Sequence, residues 1–228
     1  MTRVDEIKQL LGQCTLEERL EIFGHLRIDF SIHEIEKELN TTAEVILAAI
    51  ARSNDLIKRG IRGVIAEAAF ETYVLNDLQD WEKISFQGDE PYDYLIRDSN
   101  GELRIQVKMQ RLKDQKPMTA NQAYRRLPTD MYVVETQRTR GGKDTMTGED
   151  TRPYRYGEFD ILAVSMYPST KKWDSFMYTV ATWLIPRPEN TKLMLKFQPV
   201  SLKSDDNWTS NFETCVAWFR SGLKKKLL

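Results

Sequence analysis

Residues 91–110 (PYDYLIRDSNGELRIQVKMQ) constrain the chain more than any other stretch. Two runs rich in Tyr, Ile, Leu and Val flank Asp98-Ser99-Asn100-Gly101, whose Asn-Gly pair tolerates the positive φ of a tight turn. The pattern predicts a β-hairpin. In its second run Leu103, Ile105, Val107 and Met109 alternate with Arg104, Gln106, Lys108 and Gln110, and a period of two puts the polar set on one face. Gln106 and Lys108 then point the same way, and the antiparallel return brings Asp93 toward the same end. A carboxylate, an amide and an ammonium are expected within a few side-chain lengths of one another.

Such a cluster suits a hard cation beside a scissile phosphate. Mg²⁺ takes oxygen ligands and keeps several waters, so one carboxylate, a carbonyl or amide oxygen and a phosphate oxygen suffice to hold it. Asp93 is the candidate ligand. A nearby ammonium orients the attacking water or stabilises the charge that builds on phosphorus, which is the role expected of Lys108. Gln106 is neutral and offers an amide oxygen to the ion or a hydrogen bond to the water. Metal affinity should therefore lean on Asp93 and Glu67.

Over residues 60–165 these features resemble the PD-(D/E)xK nuclease superfamily, which includes many type II restriction endonucleases, resolvases and some homing endonucleases. The family order is an acidic residue on a helix, an Asp in a strand, then (E/D)xK on the paired strand. Glu67, Asp93 and Lys108 stand in those positions. Tyr92 separates Pro91 from Asp93, and Gln106 occupies the place of the usual acid. The segment Gly157-Glu158-Phe159-Asp160-Ile161-Leu162-Ala163-Val164 is similar to the central strand that follows the family's hairpin.

The resemblance implies an α/β, restriction-endonuclease-like core with a mixed central β-sheet flanked by helices. It also implies Mg²⁺ held by Asp93, Glu67 and Gln106, with Lys108 completing the catalytic set. The function implied is that of a type II restriction enzyme cutting double-stranded DNA as a homodimer, since one site cuts one strand and two-fold symmetry supplies the other. A homing or junction-resolving nuclease, or a DNA-binding protein without catalysis, are the alternatives. An Asp before a polar-apolar alternation ending in Lys also recurs on solvated sheet faces. The order with Glu67, the Gly60-Ile61-Arg62-Gly63 lead-in to its helix and the apolar strand ending at Val164 favour the nuclease.

Charge is unevenly spread along a chain of net charge −1. Residues 1–60 hold eight Lys/Arg against eleven Asp/Glu, whereas residues 104–143 hold ten against three, the electrostatic footprint that phosphate binding needs. Arg111 and Lys113 follow directly on the candidate strand. A polar segment from 136 to 156 then carries Arg138, Arg140, Lys143, Arg152, Tyr154 and Arg155 together with Gly141 and Gly142. A segment of that length without periodicity is functional or disordered. It is read here as a DNA-contacting loop, because Arg forks onto guanine and Lys neutralises phosphate.

The first 58 residues read as a helical subdomain and residues 59–228 as the nuclease domain. Thr15-Leu16-Glu17-Glu18 and Ser31-Ile32-His33-Glu34 match the capping-box pattern, and a helix is expected from Ala43 to Ser53. Two short helices joined by a polar turn allow a helix-turn-helix, which the acidic balance opposes, or a packing or dimer-forming subdomain. Glu71, one turn beyond Glu67, is a reserve candidate for the metal. Strands are expected at 131–135, 158–165, 176–185 and 193–197, and a helix at 211–223. Cys14 and Cys215 lack metal-ligand spacing, and the two histidines lack partners. No apolar run reaches eighteen residues and the start of the chain lacks a signal peptide's apolar centre, so a cytoplasmic protein without membrane segments is expected.

Overall fold

The computed structural model describes residues 2–138, 141–143 and 151–227, and the chain divides into two compact units, Met1–Arg59 and Gly60–Leu228. The first unit is helical: α1 (Arg3–Gln13), α2 (Leu16–Asp29), α3 (Ile35–Glu38) and α4 (Ala43–Arg52). Thr2 with Asp5, and Thr15 with Glu18, form capping boxes that satisfy the free N–H groups of α1 and α2. The box expected from Ser31 and Glu34 does not form, because α3 starts only at Ile35 and its N-cap makes no side-chain bond. Glu36 takes over that work. Its carboxylate accepts N–H bonds from Ile32, His33 (3.2 Å) and Ala43 (2.6 Å), the last at the start of α4, and it receives Arg27 Nη2 at 2.6 Å. Two carboxylate oxygens accept several donors at once, which one serine hydroxyl cannot match. Among the described residues of this unit Glu36 alone is buried.

The boundary between the units falls within α5 (Asp55–Tyr73), whose Ala66, Ala69 and Phe70 are buried. The second unit is a mixed α/β fold. In chain order its strands are β1 (Glu82–Ile84), β2 (Tyr94–Asp98), β3 (Gly101–Met109), β4 (Leu112–Lys113), β5 (Lys116–Pro117), β6 (Tyr132–Glu135), β7 (Ile161–Ser165), β8 (Phe176–Val180) and β9 (Phe197–Val200). Short helices α6 (Ala120–Ala123) and α7 (Tyr167–Thr170) sit among them, and α8 (Phe212–Arg220) follows. The central sheet runs β1-β2-β3-β7-β8, antiparallel throughout except that β3 and β7 are parallel. The β4–β5 and β6–β9 pairs stand apart as two-stranded ribbons.

The hairpin closes as the sequence predicts. Gly101 takes φ +121°, and Asp98 Oδ1 accepts the Asn100 N–H at 2.9 Å to tighten the turn. Both faces of the sheet are covered, so β7 and β8 are buried at every position. One face, with Ile105, Val107, Ala163 and Tyr178, packs on Phe70 of α5 and on Phe212 and Val216 of α8. Phe70 is the centre of that layer, its ring within 5.4–6.3 Å of those of Tyr94, Phe176, Tyr178 and Phe212. The other face, with Leu162, Val164 and Met177, packs on Tyr154, Phe159, Met194 and Trp208. Where β7 joins the sheet, Arg104 forks onto Asp160 (3.0 and 2.8 Å) and donates to the Gly157 carbonyl at 2.6 Å.

Three strand limits differ from the sequence expectation. The run at 176–185 leaves the sheet after Val180 for a 3-10 turn, Ala181–Trp183, which buries Trp183 fully. The strand expected at 193–197 lies at Phe197–Val200 instead, because Leu193 and Met194 make only isolated bridges to Arg155 and Pro186. The strand expected at 158–165 begins at Ile161, since residues before it serve the Arg104 fork. Cys14 and Cys215 are both free thiols, Cys215 buried in the core. Among the described residues no helix is long and apolar enough to cross a membrane.

Candidate active site

Where β2 and β3 emerge, the antiparallel register pairs Tyr94 with Ile105, and Asp93 continues the ladder by donating its N–H to the Ile105 carbonyl at 2.9 Å. One step further in the same register sets Asp93 beside Gln106, on the polar face that the alternation of β3 predicts. The Asp93 carboxylate is fixed there: Oδ2 accepts from the Val107 N–H at 2.7 Å and from Gln106 Nε2. Glu67 arrives from α5, where Tyr94 Oη donates to the Glu67 backbone carbonyl at 2.8 Å and ties the helix to β2. Glu67, Asp93, Gln106 and Lys108 line one cavity of about 230 Å³, together with Asp89, Glu90, Arg138 and Tyr154.

The electrostatics of the cavity are unbalanced. Burial pushes the Glu67 carboxyl up to about 7, the Asp93 charge pushes the same way, and Lys108 opposes both. Asp93 is raised too, by burial first, against the pull of Lys108, the Val107 N–H and Gln106. Two carboxylates are thus held in a recess whose cations do not fully compensate them. That donor set fits a hard divalent cation, which would supply the missing charge and accept oxygen ligands. Among the described residues no three His, Cys, Asp or Glu side chains gather as a ligand cluster. A two-carboxylate site suits an ion that keeps water and draws its remaining ligands from phosphate.

The Gln106 amide is fully engaged and 1% exposed. Its Nε2 faces Asp93, while its Oε1, expected as a metal ligand, accepts from Tyr154 Oη at 3.0 Å. Glu71, the reserve candidate, points elsewhere: it pairs with Lys83 and accepts from Tyr94 Oη at 3.4 Å.

The residues expected to touch DNA divide into several groups. Arg138 lines the cavity, ion-pairs with Glu158 at 2.9 Å and stands 5.8 Å from the centre of the Tyr154 ring. Arg111 is held by Glu135 at 3.0 Å. Lys113, Lys143, Arg152 and Arg155 are exposed. Arg140 lies outside the described residues. Tyr154 is a correction, because it is 3% exposed and its ring packs edge-on against Phe159. It is an inner wall of the cavity and not a surface contact.

The base of the 136–156 segment is ordered, with Gln137 bridging Pro153 and Arg138 N–H donating to the Arg152 carbonyl at 2.9 Å. This antiparallel return is what carries Tyr154 inward. It is flanked by Pro153 and Arg155, with Arg152 one residue further back, so periodicity gave no hint of a buried ring. Asp89 and Glu90 were not anticipated either, since only their place in the Gln87-Gly88-Asp89-Glu90-Pro91 stretch before Asp93 could have suggested a part in the site.

No protein-family model matches the sequence, and no curated protein matches it. Among solved structures the chain is similar to a bacterial homing endonuclease at 20% identity and a TM-score of 0.38, over 72% of this chain and 94% of that one. A likeness that slight adds nothing to the assignment, which rests on the site.

Proposed function

We propose that the protein is a Mg²⁺-dependent endonuclease that hydrolyses phosphodiester bonds of double-stranded DNA, of the type II restriction kind and acting as a homodimer. The observation that carries this reading is the convergence of Glu67 from α5, Asp93 just before β2 and Lys108 from β3 on one recess. Asp93 and Glu67 would hold the ion, and Gln106 holds Asp93. When bound, Mg²⁺ supplies Lewis-acid polarisation of the phosphate and lowers the pKa of bound water.

Lys108, which lines the same recess, would orient the attacking water and stabilise the charge that develops on a phosphate oxygen. The water oxygen would bond to phosphorus as its proton passes to solvent, the bond to the leaving oxygen breaks, and that oxygen takes a proton from solvent as it departs. Arg138 lies at the same recess at the base of a segment carrying Lys143, Arg152 and Arg155, which supports a phosphate path leading into the site. The test is incubation of the purified chain with plasmid DNAs of diverse sequence and Mg²⁺. Discrete fragments that vanish on chelation are expected, and intact DNA across all substrates overturns the reading.

A further inference from the structure

We infer that Tyr154 is a positioning residue that anchors the Gln106 amide and, through it, holds the Asp93 carboxylate with one oxygen presented to a divalent cation; this rests on the nuclease reading above. The hydrogen bonds form one chain. Tyr154 Oη donates to Gln106 Oε1 at 3.0 Å, Gln106 Nε2 donates to Asp93 Oδ2, and the Val107 N–H donates to the same Oδ2 at 2.7 Å. Both bonds to Asp93 fall on Oδ2, so among the described residues Oδ1 is the oxygen left without a hydrogen bond.

An amide has two unlike ends, and only one orientation works here. Turned over, Gln106 would set Oε1 against the Asp93 carboxylate, acceptor against acceptor, and leave its NH₂ facing the phenol. The acceptors at Nε2, Asp93 Oδ2 and the Val107 carbonyl at 3.2 Å, select the working orientation, and the phenol, donating to Oε1, anchors the other end of the amide in it. Both partners are buried, Tyr154 at 3% and Gln106 at 1% exposure, so water does not substitute for either. The ring has a second task at the same place: Lys108 Nζ stands 5.7 Å and Arg138 Cζ 5.8 Å from its centre. A carboxylate at position 106 has no N–H to give Asp93, so the chain from Tyr154 would end there. Tyr154 is thus matched to a glutamine.

The experiment is a double-mutant cycle of Tyr154→Phe and Gln106→Glu, read first by calorimetric titration of the DNA-free protein with Mn²⁺ and then by single-turnover cleavage. In the Gln106 background, Tyr154→Phe is expected to weaken Mn²⁺ binding about tenfold, as loss of a ligand-orienting partner does. The cleavage rate falls in parallel, while the Kd for duplex DNA measured in Ca²⁺ is unchanged. In the Gln106→Glu background the same substitution is expected to leave Mn²⁺ affinity nearly unaltered. Equal losses in both backgrounds, or no loss in either, overturn the inference and leave Tyr154 as a wall. Gln106→Met reports independently if Tyr154→Phe does not fold: it must weaken Mn²⁺ binding, and unchanged affinity overturns the inference. A wild-type protein that neither binds Mn²⁺ nor cuts DNA sinks the nuclease reading itself. One that does both while Tyr154→Phe behaves as wild type sinks only the role of Tyr154.

Discussion

Two glutamates, one in each unit, meet opposite fates. Glu36 is 7% exposed and is drawn down to about 2, because Arg27 and the N–H groups of Ala43, His33 and Ile32 surround its charge. Glu67 is raised to about 7, because burial and Asp93 outweigh Lys108. Burial raises a carboxyl, as at Glu67, unless donors aimed at its charge outweigh it, as at Glu36. Glu36 is a finished structural joint, whereas Glu67 and Asp93 share a recess in which burial raises both carboxyls. The surroundings differ in the same sense. The Glu36 unit buries no apolar side chain among its described residues and leaves Leu16 and Leu10 at 73% and 62% exposure, while the Glu67 unit packs both faces of a sheet.

The largest expected effects lie in the uncompensated recess. Asp93→Asn and Lys108→Ala should each lower the cleavage rate by roughly 10²–10³-fold or more. Binding to duplex DNA in Ca²⁺ should persist, checked by single-turnover assays and filter binding. Cleavage that survives Lys108→Ala would show that the recess is no more catalytic than the Glu36 joint. Next comes the layer under it: Phe70→Ala should cost about 3–5 kcal/mol of unfolding free energy, read as a lower urea midpoint. A negligible shift would show that the sheet unit does not depend on its α5 face.

The pH dependences of the two glutamates should have opposite signs. Glu36 has a folded value near 2 against an ordinary 4.5. Its contribution is present in full above 4.5 and is lost as pH falls through about 2, with Glu44 acting in the same direction. Helical far-UV circular dichroism should decline over that acid range in the wild type. Arg27→Met should weaken the helical signal already at neutral pH. Glu67 works the other way. Between 4.5 and about 7 the native state holds its proton while the unfolded chain has lost it, so in metal-free buffer stability falls as pH rises through that window. The smallest expected effect is the disappearance of this slope in Glu67→Gln, seen by denaturant titration at a series of pH values. A slope that survives would assign the raised titration to Asp93 instead.

How legible each part was follows from how local its causes are. The hairpin could be read because period-two alternation and an Asn-Gly turn are written in consecutive residues, and the register they set is what puts Asp93 beside Gln106 and Lys108. The Thr15–Glu18 cap is equally local. The Ser31 cap failed because Glu36, only two residues beyond Glu34, offers a better acceptor once Arg27 and Ala43 are brought around it. Glu67 was placed by resemblance and not by its helix periodicity, which treats Glu67 and Glu71 alike. Tyr154 was misread as a surface contact because a charged neighbourhood hides a ring whose partners lie 48 residues away.

The sequence by itself determined the polar face of β3 and the residues on it, since side-chain direction along a strand follows from backbone geometry alone. Only the tertiary structure decided which carboxylate has its charge compensated and which is raised by burial and a like charge. That depends on donors and dielectric supplied by segments far away in the chain, and no periodicity records them.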